Sequence, residues 1–366
     1  MNGDKSINWW RTDLVNSESS AVSDAIINKN LSSGPLVKEF EDAFSSKLKV
    51  KYSIACPSGS MSLVMAMLAY NIGCGDEVIV PCSTWISTAH APLLVGAKTV
   101  LVDVLHSKPV IDHSKIERKI TSKTKAIIAV HLNGCAANLK AIKEIAYKYK
   151  LIVIEDACQA LLSKNKEGYL GTQSNIGCFS FGVTKLITTS QGGMLVTNNK
   201  ETYDKLLLIR NNGVESVMTP NYKCFGLNFK FSDILASIGI EQIKQIEKHA
   251  ESVTKIYAKY ENKLESLKSI KLIKVDYKSG ELPLYVEIIS ENRDNLMKYL
   301  AKNGIYTRAI PPALIHSPIL SQDGTYAHSK YFSDNGMYLP CGPHQTNKDV
   351  NKVIKVLIEY DKMTMQ

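Results

Sequence analysis

The stretch KAIIAVHLNGCAANLKAIKEIAYKYKLIVIEDACQ, residues 125–159, decides the fold. It opens on one β-branched run, residues 125–131, and closes on another, residues 151–156. Between them Leu139–Tyr149 sets apolar residues at three- and four-residue spacing. That spacing lays one apolar stripe along a helix, and a helix joining two such strands packs on a face of a mostly parallel sheet. The same alternation repeats outward. Residues 54–56, 77–81 and 99–103 before the stretch, and 177–181 and 193–197 after it, read as further strands. The sequence therefore predicts an α/β fold with a mostly parallel seven-stranded sheet flanked by helices.

Beyond Ser232 the texture changes. DILASIGIEQIKQIEKHAESVTKIYAKYENKLESL predicts one helix several turns longer than usual, able to bridge two lobes. Residues 282–289 then read as a strand, and 293–302 and 348–360 as helices. The expected division is an N-terminal arm and large domain over residues 1–245, and a smaller C-terminal α+β domain over 246–366.

Length agrees, since 366 residues are too many for one small core and two lobes leave a cleft between them. The formal net charge of +9 is spread along the chain, as at Lys140, Lys143, Lys148 and Lys150, without a block of like charge. Such lysines read as solvated helix faces, which argues against nucleic acid as a partner. The eight cysteines form no C-x-x-C pair, so neither a zinc site nor a disulfide framework is expected. No stretch approaches the roughly 18 apolar residues that span a bilayer, and the first residues carry no apolar signal core. The expectation is a cytoplasmic protein with no membrane partner.

Three places carry chemistry. Pro57-Ser58-Gly59-Ser60 follows a strand and opens an apolar helical segment, and free N–H groups at a helix start, beside a glycine and hydroxyls, cradle an anion such as phosphate. Ser58 is equally an ordinary helix cap. Asp156 ends a strand, and in open α/β sheets such ends face the ligand crevice. Its carboxylate suits a protonated ring nitrogen, a helix cap, a metal or a catalytic dyad, and Asp156 alone does not choose. Lys185, in FSFGVTK at residues 179–185, sits among apolar and small residues, where an amine is poorly solvated, and the unprotonated amine is what attacks a carbonyl.

Taken in order, a phosphate loop, an acid at a strand end, Ser180-x-x-x-x-Lys185 and the Gly192-Gly193 strand resemble the fold-type I pyridoxal-phosphate enzymes, specifically the DegT/DnrJ/EryC1/StrS aminotransferases. Further matches run through residues 31–41 (LSSGPLVKEFE), 75–81, 96–103, 130–134, 155–160, 226–233 (GLNFKFSD) and 339–344. The resemblance implies pyridoxal 5'-phosphate as cofactor. Lys185 matches the lysine that holds it covalently and moves the proton, Asp156 the acid beside the pyridine nitrogen, and Gln159 the residue near the phenolic oxygen. Gly59, Ser60 and Ser180 match phosphate contacts, and Trp85 an aromatic ring stacked on the pyridine. Asn228 matches an asparagine that reaches the phosphate from a neighbouring subunit, which implies a homodimer with shared sites.

The implied reaction moves an amino group from an amino acid, glutamate in the first instance, to a keto group of a nucleotide-linked deoxysugar by a ping-pong route through pyridoxamine phosphate. Departures from the usual motif gather on the substrate side. Gln191 replaces an acid, Ser58 an asparagine and Lys230 an arginine, and residues 309–316 (AIPPALIH) stand where His-Tyr-Pro is common. These leave room for the same chemistry on a small phosphorylated ketone, or for a non-catalytic regulator that binds the cofactor. His131, His316 and His344 are weaker candidates for the pocket. No G-x-G-x-x-G opens the first βα unit, which argues against a nicotinamide or flavin enzyme.

Overall fold

The computed structural model describes residues 6–364. In chain order the principal sheet uses β1 (Tyr52–Cys56), β2 (Glu77–Pro81), β3 (Lys98–Val102), β4 (Thr124–Val130) and β5 (Ile152–Asp156). After a small hairpin of β6 (Lys164–Asn165) and β7 (Gly168–Tyr169) it continues with β8 (Ile176–Ser180) and β9 (Gly193–Thr197). The spatial order is β1-β9-β8-β5-β4-β2-β3. Only β9 runs against its neighbours, so its first residue, Gly193, lies opposite Cys56 and Ser180 at the carboxyl ends of β1 and β8. The seven expected strands are all present, within two residues at each end.

Helices α1 (Asn16–Ile27), α2 (Pro35–Leu48), α3 (Gly59–Ala69), α4 (Ser87–Leu94), α5 (Leu139–Tyr149) and α6 (Lys200–Arg210) accompany this sheet. GSMSLVMAMLA in α3 has no polar face because α4, α6, β8 and β9 surround it. Helix α5 is amphipathic and buries Leu139, Ile142 and Ala146.

The expected single helix after Ser232 is two. α7 (Asp233–Lys244) and α8 (Ile246–Leu264) are separated at Gln245, whose φ of −105° and ψ of 2° leave the helical region. The cause is packing: α7 lies against α1 and α2, whereas α8 packs with α11 (Asn347–Thr364), and one straight apolar stripe cannot face both. The remaining elements are β10 (Lys271–Leu272), β11 (Val286–Ile289), α9 (Arg293–Lys302), β12 (Arg308–Ala309), α10 (Ala327–Asn335) and β13 (Gly336–Leu339). The strands form an antiparallel sheet ordered β10-β11-β13-β12. The strand expected over 282–289 is half as long because its first residues bond elsewhere: Leu282 N–H donates to Ser163 Oγ and Tyr285 N–H to Asn133 Oδ1, both at 2.6 Å.

The N-terminal arm reaches this second sheet, with Ile7 bridging Ile305 and Trp10 bridging Cys341. Residues 1–5 and 365–366, the outer ends of the two expected domains, lie outside the described residues. Among the described residues no helix is long and apolar enough to cross a membrane.

Asp233 shows what the GLNFKFSD motif does structurally. Its buried carboxylate accepts from Gly34 N–H at 3.1 Å and Val37 N–H at 2.8 Å, so the first residue of α7 caps the start of α2. Asp233→Ala leaves those donors without partners and costs about 1–3 kcal/mol. A lowered thermal midpoint at fixed cofactor concentration is the expected result, with Asp233→Asn, which keeps an acceptor, losing less.

Candidate active site

A cavity of about 230 Å³ opens at the carboxyl ends of β1, β5 and β8. Ser58 caps α3 by accepting from Met61 N–H at 3.2 Å, while the first-turn N–H groups of Gly59 and Ser60 have no partner within the helix and face an anion site. Close packing dictates both glycines here. A Cβ on Gly59 would lie 2.8 Å from Ser180 Cβ and 2.9 Å from Cys158 Sγ, and one on Gly193 would lie 2.4 Å from the Ser58 carbonyl. Ser60 Oγ donates to Ser87 Oγ at 2.8 Å.

Asp156 is 5% exposed at the end of β5. One oxygen accepts from Thr88 Oγ1 at 2.8 Å, itself 3.1 Å from Thr84 Oγ1, and the other from Cys158 N–H at 3.1 Å. Among the described residues it has no cationic partner. A buried carboxylate fixed by two donors but lacking a counter-charge is a site for a cation supplied from outside the chain. Burial, with Asp156 beside it, pushes the Cys158 thiol well above its ordinary range, so this cavity-lining sulfur stays protonated and unreactive.

Lys185 projects from a loop tied down on every side. The Val183 carbonyl accepts from Trp10 Nε1 at 2.9 Å and Thr12 Oγ1 at 2.7 Å, and the Thr184 carbonyl from the Tyr285 hydroxyl at 2.9 Å. Further along, the Thr188 hydroxyl donates to the Phe181 carbonyl at 3.0 Å. The backbone is fixed while the Lys185 amine makes no hydrogen bond or ion pair among the described residues. An open helix start, an uncompensated carboxylate and an unpaired amine thus share one cavity.

A family model described as the DegT/DnrJ/EryC1/StrS aminotransferase family matches residues 12–358. The chain belongs to this family. It is 32% identical over 356 residues to the GDP-perosamine synthase of Escherichia coli O157:H7, covering 96% of this chain and 97% of that one. It is 33% identical to the GDP-perosamine synthase of Caulobacter vibrioides, covering 88% and 90%. Among solved structures, DesV of S. venezuelae superposes with a TM-score of 0.90 at 26% identity, covering 94% of each chain. The protein is a pyridoxal-phosphate-dependent aminotransferase.

Of the residues singled out from the sequence, Gly59, Ser60, Trp85, Asp156, Gln159, Ser180 and Lys185 all line the aminotransferase's cavity. Asn228 does not. It is exposed, bridges Asn211, and accepts from Lys230 N–H at 3.4 Å on another part of the surface. The three histidines are outside the cavity as well. His131 Nδ1 accepts from Ala137 N–H at 3.2 Å, so its Nε2 donates to Glu155 at 3.0 Å in a fully buried pair. Burial alone would raise the Glu155 carboxyl, but the bond from His131 and the Gly171 N–H outweigh it and hold it below its usual value. His344 lies 3.1 Å from Asp13, and His316 sits in a short 3₁₀ turn.

Sequence reading missed Trp9, Thr88, Tyr285, Arg308 and Tyr338, which also line the cavity. It missed Asn133 too, which stands behind the cavity at the junction of the two sheets. Asn133 N–H donates to Gln159 Oε1 at 3.0 Å, which leaves the Gln159 amide N–H groups free to donate elsewhere. The Asn133 side chain donates to the Tyr285 carbonyl at 3.1 Å and to Glu287 Oε2 at 2.9 Å. Its φ of 50° is left-handed, a conformation asparagine tolerates better than most residues.

Glu287 is fully buried and its Oε1 has no partner among the described residues. Burial pushes its carboxyl from 4.5 up to about 7, against the opposing Asn133 bond. Between those values the folded protein keeps a proton that the unfolded chain releases. The Glu287 contribution to stability therefore falls as pH rises through this window and levels off above it, with a total on the order of 3 kcal/mol. In Glu287→Gln, which cannot ionise, the slope disappears. The variant's thermal midpoint relative to wild type is expected to climb from pH 4.5 to 7 and stay constant beyond.

Proposed function

We propose that this aminotransferase moves an amino group from an amino acid, glutamate first among them, to a keto group of a nucleotide-linked deoxysugar. The observation that carries the reading is the convergence of Lys185, Asp156 and the α3 start on one cavity. These three suit, in turn, an aldehyde, a protonated pyridine nitrogen and a phosphate. The cofactor, when bound, supplies an electron sink for negative charge developing at the substrate carbon next to nitrogen.

The chain's own residues do the rest. Gly59, Ser60 and Ser180 hold the phosphate by N–H groups and hydroxyls at the helix start. Asp156, oriented by Thr88 and the Cys158 N–H, keeps the ring nitrogen protonated. Gln159, its carbonyl taken by Asn133, offers its amide N–H to the phenolic oxygen. Trp85, at the cavity wall, would offer an aromatic face for the ring to pack on. Lys185 Nζ would hold the cofactor covalently and, as a free amine, would carry the proton to and from the substrate carbon next to nitrogen.

The GDP-perosamine synthases, at 32–33% identity over most of the chain, support an acceptor of the nucleotide-sugar class. The exposed Asn228 and the half-buried Lys230, away from this cavity and near Arg210 and Asn211, suit a homodimer in which one subunit completes the other's phosphate site. We place the domain boundary between residues 245 and 246, at the break between α7 and α8, and the working compartment in the cytoplasm.

Purified protein loaded with pyridoxal phosphate, mixed with glutamate and then with a panel of keto sugars, tests the reading. Wild type is expected to lose its visible cofactor absorbance on addition of glutamate and to regain it with the acceptor. Nucleotide-linked keto sugars are expected to outcompete small phosphorylated ketones. Lys185→Ala should lower turnover by more than roughly a thousandfold. Absorbance that never responds to glutamate would remove the donor assignment, and a protein that takes up no cofactor would remove the whole reading.

A further inference from the structure

Glu287 is a buried carboxyl to which the reaction above gives no task. Its Oε2 accepts from the Asn133 side-chain amide at 2.9 Å, and its Oε1 has no hydrogen-bond partner among the described residues. An unsatisfied oxygen of this kind costs stability in either charge state, and an apolar side chain of similar size would avoid the cost. What the carboxyl touches gives it a use.

Two walls of the cavity hang on Asn133. Its side chain accepts the Tyr285 N–H at 2.6 Å and donates to the Tyr285 carbonyl at 3.1 Å as well as to Glu287, so every polar bond it makes ends on the stretch that leads into β11. Its backbone N–H donates to Gln159 Oε1 at 3.0 Å. That bond decides which end of the Gln159 amide is free, because an oxygen already engaged leaves the NH2 group to face the cavity. Tyr285 carries its hydroxyl to the Thr184 carbonyl at 2.9 Å, one residue before Lys185. Gln159 and Tyr285 both line the cavity, and both are bonded to the residue that Glu287 holds.

The groups around Glu287 leave it to titrate alone. Tyr338 lies directly opposite on β13, and Arg308 of β12 stands beyond Tyr338 in the same row without an ion pair to Glu287. On the other edge β10 offers Lys271, exposed and opposite Ile289. Tyr257 of α8, Cys135 and Cys341 feel the Glu287 charge, as Tyr338 does. Burial pushes all four of these hydroxyls and thiols up, so they stay neutral where burial has brought the Glu287 carboxyl, about 7. Ionisation of Glu287 makes its bond to Asn133 charge-assisted and sets an uncompensated negative charge behind the Gln159 amide.

We propose that Glu287 is a positioning residue for the cofactor: through Asn133 it presents the Gln159 amide to the phenolic oxygen, and its ionisation favours the protonated form of the covalently held cofactor. The inference rests on the reading of the cavity above, with Gln159 beside the phenolic oxygen, and adds the group that tunes it from behind. The sign follows from charge. A carboxylate behind Gln159 opposes negative charge on the phenolic oxygen, so the cofactor keeps its proton to higher pH while Glu287 is ionised.

The test compares wild type, Glu287→Gln and Glu287→Leu, each loaded with pyridoxal phosphate and free of substrate, by titrating the visible cofactor absorbance between about pH 5 and 10. Glu287→Gln keeps an acceptor for Asn133 and removes the charge, and should move the midpoint down by on the order of one pH unit. Glu287→Leu removes the acceptor too, and should hold pyridoxal phosphate roughly tenfold more weakly than Glu287→Gln does. Independently of the cofactor, infrared spectra of the unloaded wild type should show a neutral carboxyl band that disappears as pH rises through 7 and that Glu287→Gln lacks. Circular dichroism establishes folding, and where Glu287→Leu does not fold the other two measurements decide. An absorbance that does not change with pH in wild type, a midpoint in Glu287→Gln that stays put or moves up, or the absence of the infrared band would overturn the inference alone. A wild type that takes up no pyridoxal phosphate would overturn the reading of the cavity together with it.

Discussion

Helix α3 begins where the side chains of Ser180 and Cys158 leave no space for one added carbon at Gly59, and where its own first backbone groups leave none at Gly193 of β9. The rest of the site depends on that closeness. Because β9 runs antiparallel between β1 and β8, its first residue enters at the ends where its neighbours finish, and the helix start is pressed against all three. The open N–H groups of the first turn, the Ser180 hydroxyl and the Cys158-Gln159 segment are thereby gathered within one small volume. A side chain at either glycine would push α3 outward and separate the anion site from Asp156.

The second sheet is fastened to the first by polar atoms rather than by an apolar seam alone. Ser163 and Asn133, from loops of the large sheet, take the backbone N–H groups of Leu282 and Tyr285 that would otherwise have lengthened β11. The aromatic group of Trp9, Trp10, Tyr285 and Tyr338 then fills the space above, each ring within 5.1–6.1 Å of a neighbour. Buried donors and acceptors of this kind tolerate little displacement, because each one left unmade costs its full desolvation. The cavity walls contributed by Tyr285, Arg308 and Tyr338 therefore stand at a defined distance from Lys185.

The parts legible in the sequence are those written locally. The strands announce themselves by β-branched runs and α5 by its apolar stripe. Ser58-Gly59-Ser60 and Asp156 sit at a helix start and a strand end, where chain direction alone implies a site, and Lys185 stands out as an isolated amine among the apolar and small residues that follow β8. The break at Gln245 was not legible, because the apolar periodicity continues through it and only the different packing partners of α7 and α8 interrupt the helix. Arg308, Trp9 and Asn133 were hidden for a related reason. Each gains its role from a neighbour hundreds or dozens of positions away, and nothing beside them in the chain marks them. Asp233 and Glu155 were read within motifs, yet their work in this structure is to cap α2 and to pair with His131, so a recurring motif preserves architecture as readily as chemistry.

The docked N-terminal arm sets an order on assembly. Trp10 and Thr12 hold the loop that carries Lys185, yet the arm itself is held by residues near the far end of the chain: Ile7 by Ile305, Trp10 by Cys341, and Arg11 by Asp349, 338 positions away. During synthesis the large sheet has all its strands long before those partners emerge. Contacts of such sequence separation form late, since the loop they close must be ordered first. The reactive amine is therefore among the last features to be fixed, and the chain cannot present a finished catalytic loop until its C-terminal sheet has folded around its own beginning.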